Sequence, residues 1–171
     1  GSLTLTSSTL VTGSRRGKGG TVTLTGDQIN LSNHTSIDTR GATGGGTVLI
    51  GGDWLGKQIG GQLNANAVIF DATSVIVASA TQRGDGGKVV IWSEQVTGFY
   101  GTIRSQGGSL GGDGGQVETS SKRYLQALGY VYVSARHGKA GAWMLDPYDV
   151  TITDDPNAVS TGVEITSEGI V

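Results

Sequence analysis

The chain has 171 residues, of which 31 are glycine, 2 are proline and none is cysteine. This length is enough for one domain with a sizeable core, and the lack of cysteine excludes disulfides, thiolate metal sites and thiol catalysis. A net charge of −2 gives no electrostatic basis for binding nucleic acid or inserting into a membrane, and no apolar run is long enough to span a bilayer. Charged residues are only 15% of the chain, and the apolar residues are rich in Val, Ile and Leu, which favours short strands separated by tight turns.

The first residues carry no signal peptide. Gly1-Ser2 is typical of a cloning remnant, and the apolar residues that follow alternate with polar ones instead of forming a continuous run. We therefore expect the chain to be an internal piece of a longer protein.

Paired glycines followed by an apolar segment recur along the chain. They are Gly19-Gly20, Gly45-Gly46, Gly86-Gly87 and Gly114-Gly115, with a degenerate copy at Ala140-Gly141. The second glycines of successive pairs are 26, 41, 28 and 26 residues apart, a spacing that indicates a repeat architecture. The long interval contains about 14 additional residues, which we assign to Gly51–Asn64 as a loop or hairpin excursion from one repeat.

Within each repeat, apolar residues alternate with polar ones at the period of a β-strand. The residues predicted to face one side are Val22, Leu24, Ile29, Leu31, Ile37, Val48, Ile50, Val68, Phe70, Val75, Val77, Val89, Ile91, Val96, Ile103, Val117, Leu125, Val131 and Val133. No stretch sustains a helical period. Three short strands in a unit of about 26 residues predict one coil of an all-β solenoid, in which coils stack about 4.8 Å apart through parallel pairing.

The paired glycines are predicted to form the corners between strands. A corner requires either a positive φ or a close approach of the backbone to the next coil, and glycine permits both. A nucleotide-binding glycine loop is the competing interpretation, but no helix is predicted after any pair and the chain lacks a Gly-Lys-Ser/Thr sequence.

A family resemblance lies in the segment Gly86–Asp149 and extends over about residues 45–153. Its marks are Val-Val-Ile-Trp after Gly-Gly-Lys, then Phe99-Tyr100-Gly101, the string Gly111–Ser120, and Gly141–Ile152, which contains a Leu-Asp-Pro exit motif. With these marks the segment resembles the glycine-rich β-helical region of two-partner secretion exoproteins. These are the filamentous haemagglutinin-like and high-molecular-weight adhesin-like proteins of Gram-negative bacteria.

The resemblance implies a right-handed parallel β-helix, with coils over residues 1–148; residues 149–171 are expected to form the exit from the last coil and the start of a further coil or domain. It also implies secretion to the bacterial surface through an outer-membrane transporter partner. The implied role is adhesion to host-cell or matrix glycans or proteins, biofilm building, or a stalk for a distal effector. No catalytic residue and no cofactor come with the resemblance.

Asp85 and Asp113 form the best candidate pair for a site. Each lies before the same Gly-Gly corner in consecutive repeats, so stacking would place the two carboxylates about 5 Å apart. Such a pair could hold Ca²⁺ or act in glycoside cleavage, but aspartate before glycine also simply favours a turn. A β-helix that binds or cleaves polysaccharides is therefore the alternative to an adhesin segment.

The other candidate residues have ordinary structural interpretations. The cluster Asp146, Asp149, Asp154 and Asp155 lacks the spacing of a calcium loop, and His34 and His137 have no neighbouring set of zinc ligands. The three tryptophans, Trp54, Trp92 and Trp143, could stack on sugar rings or pack against coils. Trp92 and Trp143 are predicted to lie in equivalent strands. Two short runs of basic residues lie at predicted turns, and we expect their side chains to be exposed to solvent.

Overall fold

The computed structural model describes residues 1–146, 150–151 and 163–164, and it consists of coils that each contribute three β-strands. The first two coils contain β1 (Ser2–Thr6), β2 (Thr9–Val11), β3 (Thr21–Leu24), β4 (Gln28–Ser32), β5 (Ser36–Asp38) and β6 (Thr47–Ile50). The next three contain β7 (Ala67–Phe70), β8 (Val75–Val77), β9 (Lys88–Ser93), β10 (Val96–Phe99), β11 (Thr102–Arg104), β12 (Gln116–Ser121), β13 (Tyr124–Ala127), β14 (Tyr130–Tyr132) and β15 (Ala142–Met144).

Two further strands, β16 (Val150–Thr151) and β17 (Val163–Glu164), pair with each other in parallel. The predicted exit from the last coil over residues 149–171 otherwise lies outside the described residues.

Equivalent strands of successive coils pair in parallel and form three five-stranded sheets. Sheet A has the order β1-β4-β7-β10-β13, sheet B the order β2-β5-β8-β11-β14, and sheet C the order β3-β6-β9-β12-β15. The predicted all-β parallel β-helix with three strands per coil is therefore confirmed. The stack has about five turns of about 28 residues, slightly longer than the predicted 26.

The core fills the space that the three sheets enclose. Val22, Val48, Val89 and Val117 lie in register in successive strands of sheet C, and Trp143 follows in β15. Most inward side chains are fully buried aliphatic residues, each of which stabilises the fold by about 1.5–3 kcal/mol relative to exposure. Two inward phenylalanines of sheet A, Phe70 and Phe99, stack with ring centroids 5.9 Å apart.

The predicted inward face of β8 is wrong by one residue. Ile76 is completely buried, whereas Val75 and Val77 on either side of it are only partly buried. All three residues of this strand are apolar, so alternation alone does not determine which of them face the core. The register decides it, because Ile76 pairs with the buried Ile37 of the preceding coil.

Val96 is also wrongly predicted to face inward. It is 40% exposed, and the next residue, Thr97, is completely buried. The Thr97 hydroxyl lies 2.7 Å from Ser93 Oγ and donates to the Ser120 carbonyl oxygen at 2.8 Å. A threonine can occupy the interior at this corner because its hydroxyl has partners there.

The Gly-Gly corners are confirmed as places where coils approach closely, but not as places of positive φ. None of the eight glycines in the four pairs has a left-handed backbone. A Cβ on Gly45 would overlap the Ala78 carbonyl oxygen of the next coil. Within its own coil, Gly46 N donates to the Thr39 carbonyl oxygen at 2.8 Å and closes the corner.

The segment Gly51–Asn64 leaves the stack between β6 and β7. It contains a 3-10 turn at Trp54–Gly56 and two isolated antiparallel bridges, Asp53 with Lys57 and Ile59 with Gln62. We call this segment the excursion loop. It accounts for the long interval between β6 and β9, whose paired residues Val48 and Val89 are 41 positions apart.

Candidate functional site

Asp85 and Asp113 lie at the same corner of successive coils, and both are exposed. Asp113 N donates to Asp85 Oδ1 at 2.7 Å, and Lys139 N donates to Asp113 Oδ1 at 2.8 Å. Each carboxylate therefore accepts a backbone N–H from the next coil. This geometry gives the pair a role in holding consecutive corners together, in keeping with the preference of aspartate for turns.

The described residues contain no group of three or more His, Asp or Glu side chains positioned to hold a metal ion. His34 is exposed at the corner between β4 and β5, where its N–H donates to Thr73 Oγ1 at 2.8 Å. His137 is exposed in the corner between β14 and β15, and Asp146 is exposed after β15. The remaining members of the predicted acidic cluster, Asp149, Asp154 and Asp155, lie outside the described residues.

The outer face of sheet C is buried at four positions that alternation directs away from the core. We call Val90, Trp92, Glu118 and Ser120 the covered patch: Trp92 is 7% exposed and the others are completely buried. The excursion loop contacts two of them, Trp92 and Glu118. At Trp92 and Glu118, a face that would otherwise meet water is thus covered by the loop, whereas Ser120 Oγ accepts Asp146 N at 3.1 Å.

Two glycines let the excursion loop lie directly against the Trp92 indole. A Cβ on Gly56 would come within 2.6 Å of Trp92 Cζ2, and one on Gly52 within 3.2 Å of Cε3. Gly56 also has φ +72°, a conformation that side chains rarely adopt. Both steric space and backbone conformation therefore require glycine at position 56.

Glu118 is the buried carboxyl group of the covered patch. Its Oε2 accepts the Leu55 N–H at 3.0 Å, and its Oε1 has no hydrogen-bond partner. Burial raises the pKa of Glu118; the hydrogen bond from Leu55 N, the neighbouring Ser120 side chain and the charge of Lys88 act against this, and the charge of Asp146 adds to it. The net pKa lies above the ordinary value for glutamate.

The loop end of this contact has an unusual backbone. Leu55 has φ +57°, in the left-handed region that is uncommon for residues other than glycine. This conformation directs the Leu55 N–H to Glu118, which lies 63 positions further along the chain.

A salt bridge joins the start of the excursion loop to β9. Lys88 Nζ contacts Asp53 Oδ1, and the same oxygen accepts Trp54 N at 2.6 Å. Burial alone would raise the pKa of Asp53, but the hydrogen bonds from Lys88 and Trp54 N outweigh burial and leave the pKa below its ordinary value. At the other end of the loop, Asn64 Nδ2 donates to the Gly56 carbonyl oxygen at 2.7 Å.

The three tryptophans occupy different environments. Trp92 and Trp143 both belong to sheet C, as predicted, but they lie on opposite faces of it. Trp143 packs against the core, with its ring 6.2 Å from that of Phe99 and its Nε1 donating to Thr119 Oγ1 at 2.9 Å. Trp54 is partly buried within the excursion loop.

Exposed tyrosines lie on the outer surface of the last coil that the structure describes. Tyr124 is 57% exposed, Tyr130 is 66% exposed and Tyr132 is 41% exposed. The Arg104 guanidinium lies 4.5 Å from the centroid of the Tyr132 ring, a cation–π contact. We call Tyr130, Tyr132 and Arg104 the aromatic row.

Glu118 and the covered patch are not among the residues predicted from the sequence. A signal was present in Val89–Trp92, because four consecutive apolar residues indicate a strand that is buried on both faces. Together with an insertion in the preceding coil, this run points to a loop that covers the second face. Nothing in the sequence indicated that a glutamate one coil further on would contact that loop.

The comparisons with known proteins give no family for this chain: no protein-family model matches it, and no curated protein does. In the part of the chain that the structure describes, no helix has the length and apolar character needed to cross a bilayer.

Proposed function

We propose that this chain is a structural and display segment of a large bacterial surface adhesin that is secreted with an outer-membrane transporter partner. The segment acts mechanically, as a stiff stack that presents contact surfaces to host cells, solid surfaces or biofilm matrix. Its binding partners are glycans or proteins of those surfaces.

The observation that carries the proposal is the unbroken pairing of the stack. Each of the five described coils is hydrogen-bonded to its neighbours through all three sheets. Bending such a stack would break parallel ladders on one side, so the fold resists deformation along its axis. Stiffness along an axis is the property that a display segment needs.

The resemblance of Gly86–Asp149 to two-partner secretion exoproteins supports the secreted, cell-surface part of the proposal. The absence of cysteine also fits export of an unfolded chain that must refold without disulfides.

The aromatic row favours a second candidate function, binding of polysaccharides. Exposed tyrosine rings offer flat apolar faces, and Arg104 provides hydrogen-bond donors beside one of them. Neighbouring outward residues on a strand are about 6.6 Å apart, which allows two rings to contact one extended chain.

Surface labelling of the source bacterium tests the main proposal. An antibody raised against this chain should label intact cells, and deletion of the outer-membrane transporter gene should abolish that label. Labelling that requires permeabilised cells would contradict a surface location.

Binding of the purified chain to host cells and to a glycan array tests the contact surface. We expect Tyr130→Ala with Tyr132→Ala to reduce binding at least about tenfold if two stacking contacts are lost, since each is worth about 1 kcal/mol. Tyr124→Ala is the matched control, because it removes an exposed tyrosine of the same coil from a different sheet. Equal binding by all variants would assign adhesion to other parts of the parent protein.

A further inference from the structure

The excursion loop is held to the outer face of sheet C at three places. Asp53 binds Lys88, the backbone at Gly56 packs on the Trp92 indole, and Leu55 N donates to Glu118. Only the third contact involves a carboxyl group that is completely buried.

We infer that the excursion loop is a proton-controlled cover, which stays closed while Glu118 is protonated and opens when Glu118 ionises. Opening exposes the Trp92 indole, an apolar surface on the outer face of sheet C. This inference does not rest on the proposed function.

Glu118 receives too few hydrogen bonds beneath the closed loop to stabilise a carboxylate. A buried carboxylate has two charged oxygens and requires several donors to replace water. In the closed state the structure gives Oε2 one backbone donor and leaves Oε1 with none. Ionisation of Glu118 beneath the closed loop therefore leaves a charge with too few partners, and loop opening admits water to it.

The charges around Glu118 also disfavour its ionisation. Lys88 of β9 is a cation that acts on Glu118, but its ammonium group is already paired with Asp53 of the loop. Lys57, also of the loop, acts on Asp53. Asp146, after β15, opposes ionisation of Glu118. The neighbouring elements thus supply little uncommitted positive charge to a Glu118 carboxylate.

The direction of the pH dependence follows from the raised pKa of Glu118 in the closed state. In an open loop the side chain is hydrated and titrates near the ordinary value of about 4.3. The closed state is therefore favoured most strongly below that value, and this preference is lost as the pH rises through the raised pKa. Acid closes the cover and neutral or basic conditions loosen it.

Two measurements on the folded chain test the inference. In a Trp54→Phe, Trp143→Phe variant, acrylamide quenching reports the accessibility of Trp92 alone. We expect quenching to rise several-fold between about pH 4 and about pH 9, as Glu118 ionises. The protection factor of the Leu55 amide, measured by hydrogen exchange in the chain with all its tryptophans, should fall over the same range.

Glu118→Gln is the decisive variant. Its side chain has the same shape and keeps a carbonyl oxygen for Leu55 N, but it does not ionise. We expect Trp92 and the Leu55 amide to stay protected at every pH in this variant. Glu94→Gln is the matched control, because Glu94 lies in a partly exposed pair with Lys122 and should leave the pH dependence unchanged.

Gly56→Ala provides a variant that opens the loop without changing charge. Its methyl group would overlap the Trp92 indole, so Trp92 should be accessible at every pH. The inference is overturned if the accessibility of Trp92 does not depend on pH in the parent chain, or if the dependence persists in Glu118→Gln.

Discussion

The coil stack and the excursion loop bury side chains in different ways. The stack repeats the same contact: an aliphatic residue packs on its equivalent one coil away, and the pairing of the backbone fixes the register. The excursion loop contacts the outer face of sheet C in a way that no other coil repeats, through two glycines, one salt bridge and one hydrogen bond to a buried carboxyl.

The two regions therefore differ in how their stability responds to conditions. The stack depends mainly on apolar burial and backbone hydrogen bonds, neither of which titrates, and only its exposed corners use carboxylates such as Asp85 and Asp113. The excursion loop depends partly on groups that do titrate, Asp53 and Glu118, whose pKa values are shifted in opposite directions. Loss of the loop contact should therefore leave the stack folded.

The largest expected effect separates the glycines of the two regions. Gly45→Ala places a methyl group against the Ala78 carbonyl oxygen, where the next coil leaves no space. We expect it to lower the free energy of unfolding by at least about 3 kcal/mol, measured by chemical denaturation. Gly60→Ala, at a loop position with φ +58° and no atom within 4 Å, should cost only about 1–2 kcal/mol, the penalty of a left-handed backbone. Similar costs at both positions would contradict the close approach of coils.

Within the stack, truncation of an inward side chain should cost more stability than truncation of an outward one. Ile76→Ala removes a completely buried side chain and should lower the free energy of unfolding by about 2–5 kcal/mol. Val96→Ala removes an outward side chain that is 40% exposed and should change it by about 0.5 kcal/mol or less. The same denaturation experiment measures both, and a large cost at Val96 would mean that its strand faces the other way.

The smallest effects compare a salt bridge at the loop with one on the open surface. Asp53→Asn removes the pairing with Lys88 and should lower the protection of the Leu55 amide by up to about fivefold, since a partly exposed pair contributes up to about 1 kcal/mol. Asp38→Asn removes a pair with Arg40, whose side chain is about half exposed, and should change the unfolding midpoint very little.

The pH dependence of these two pairs has the same sign. Hydrogen bonding from Arg40 lowers the pKa of Asp38, and the pKa of Asp53 is also lowered. Each salt bridge therefore contributes its full stabilisation above the ordinary aspartate pKa of about 3.9. Both are lost as the pH falls through the lowered values. Acid should therefore weaken both pairs while it favours the Glu118 contact, and an increase in either pairing at low pH would contradict these assignments.

The sequence predicts the stack well because the stack is periodic. The spacing of the Gly-Gly pairs predicts the length of a coil. Alternation predicts the buried face wherever apolar and polar residues alternate, as in Val22–Leu24 and Ile29–Leu31. Alternation is insufficient in Val75–Val77, where every residue is apolar. It misleads at Val96, because hydroxyl partners from neighbouring strands make the buried position of Thr97 favourable.

The covered patch is much less predictable, for a physical reason. The contact between Leu55 and Glu118 joins two segments that have no shared repeat position, so spacing carries no information about it. The candidate pair Asp85 and Asp113 was placed in stacked corners by the repeat, but the use of each carboxylate as an acceptor for the next backbone N–H depends on side-chain geometry.

The distance between spin labels at Thr4 and Gln126 is the direct test of whether the coils stack in parallel. Both residues are exposed, and the sheet A register links them through Asn30, Ile69 and Gly98, which makes four steps between coils. Steps of about 4.8 Å predict a backbone separation of about 19 Å and a narrow distance distribution, although 122 positions separate the two residues in the chain. A broad distribution with a mean of twice that value or more would contradict a stack of parallel coils.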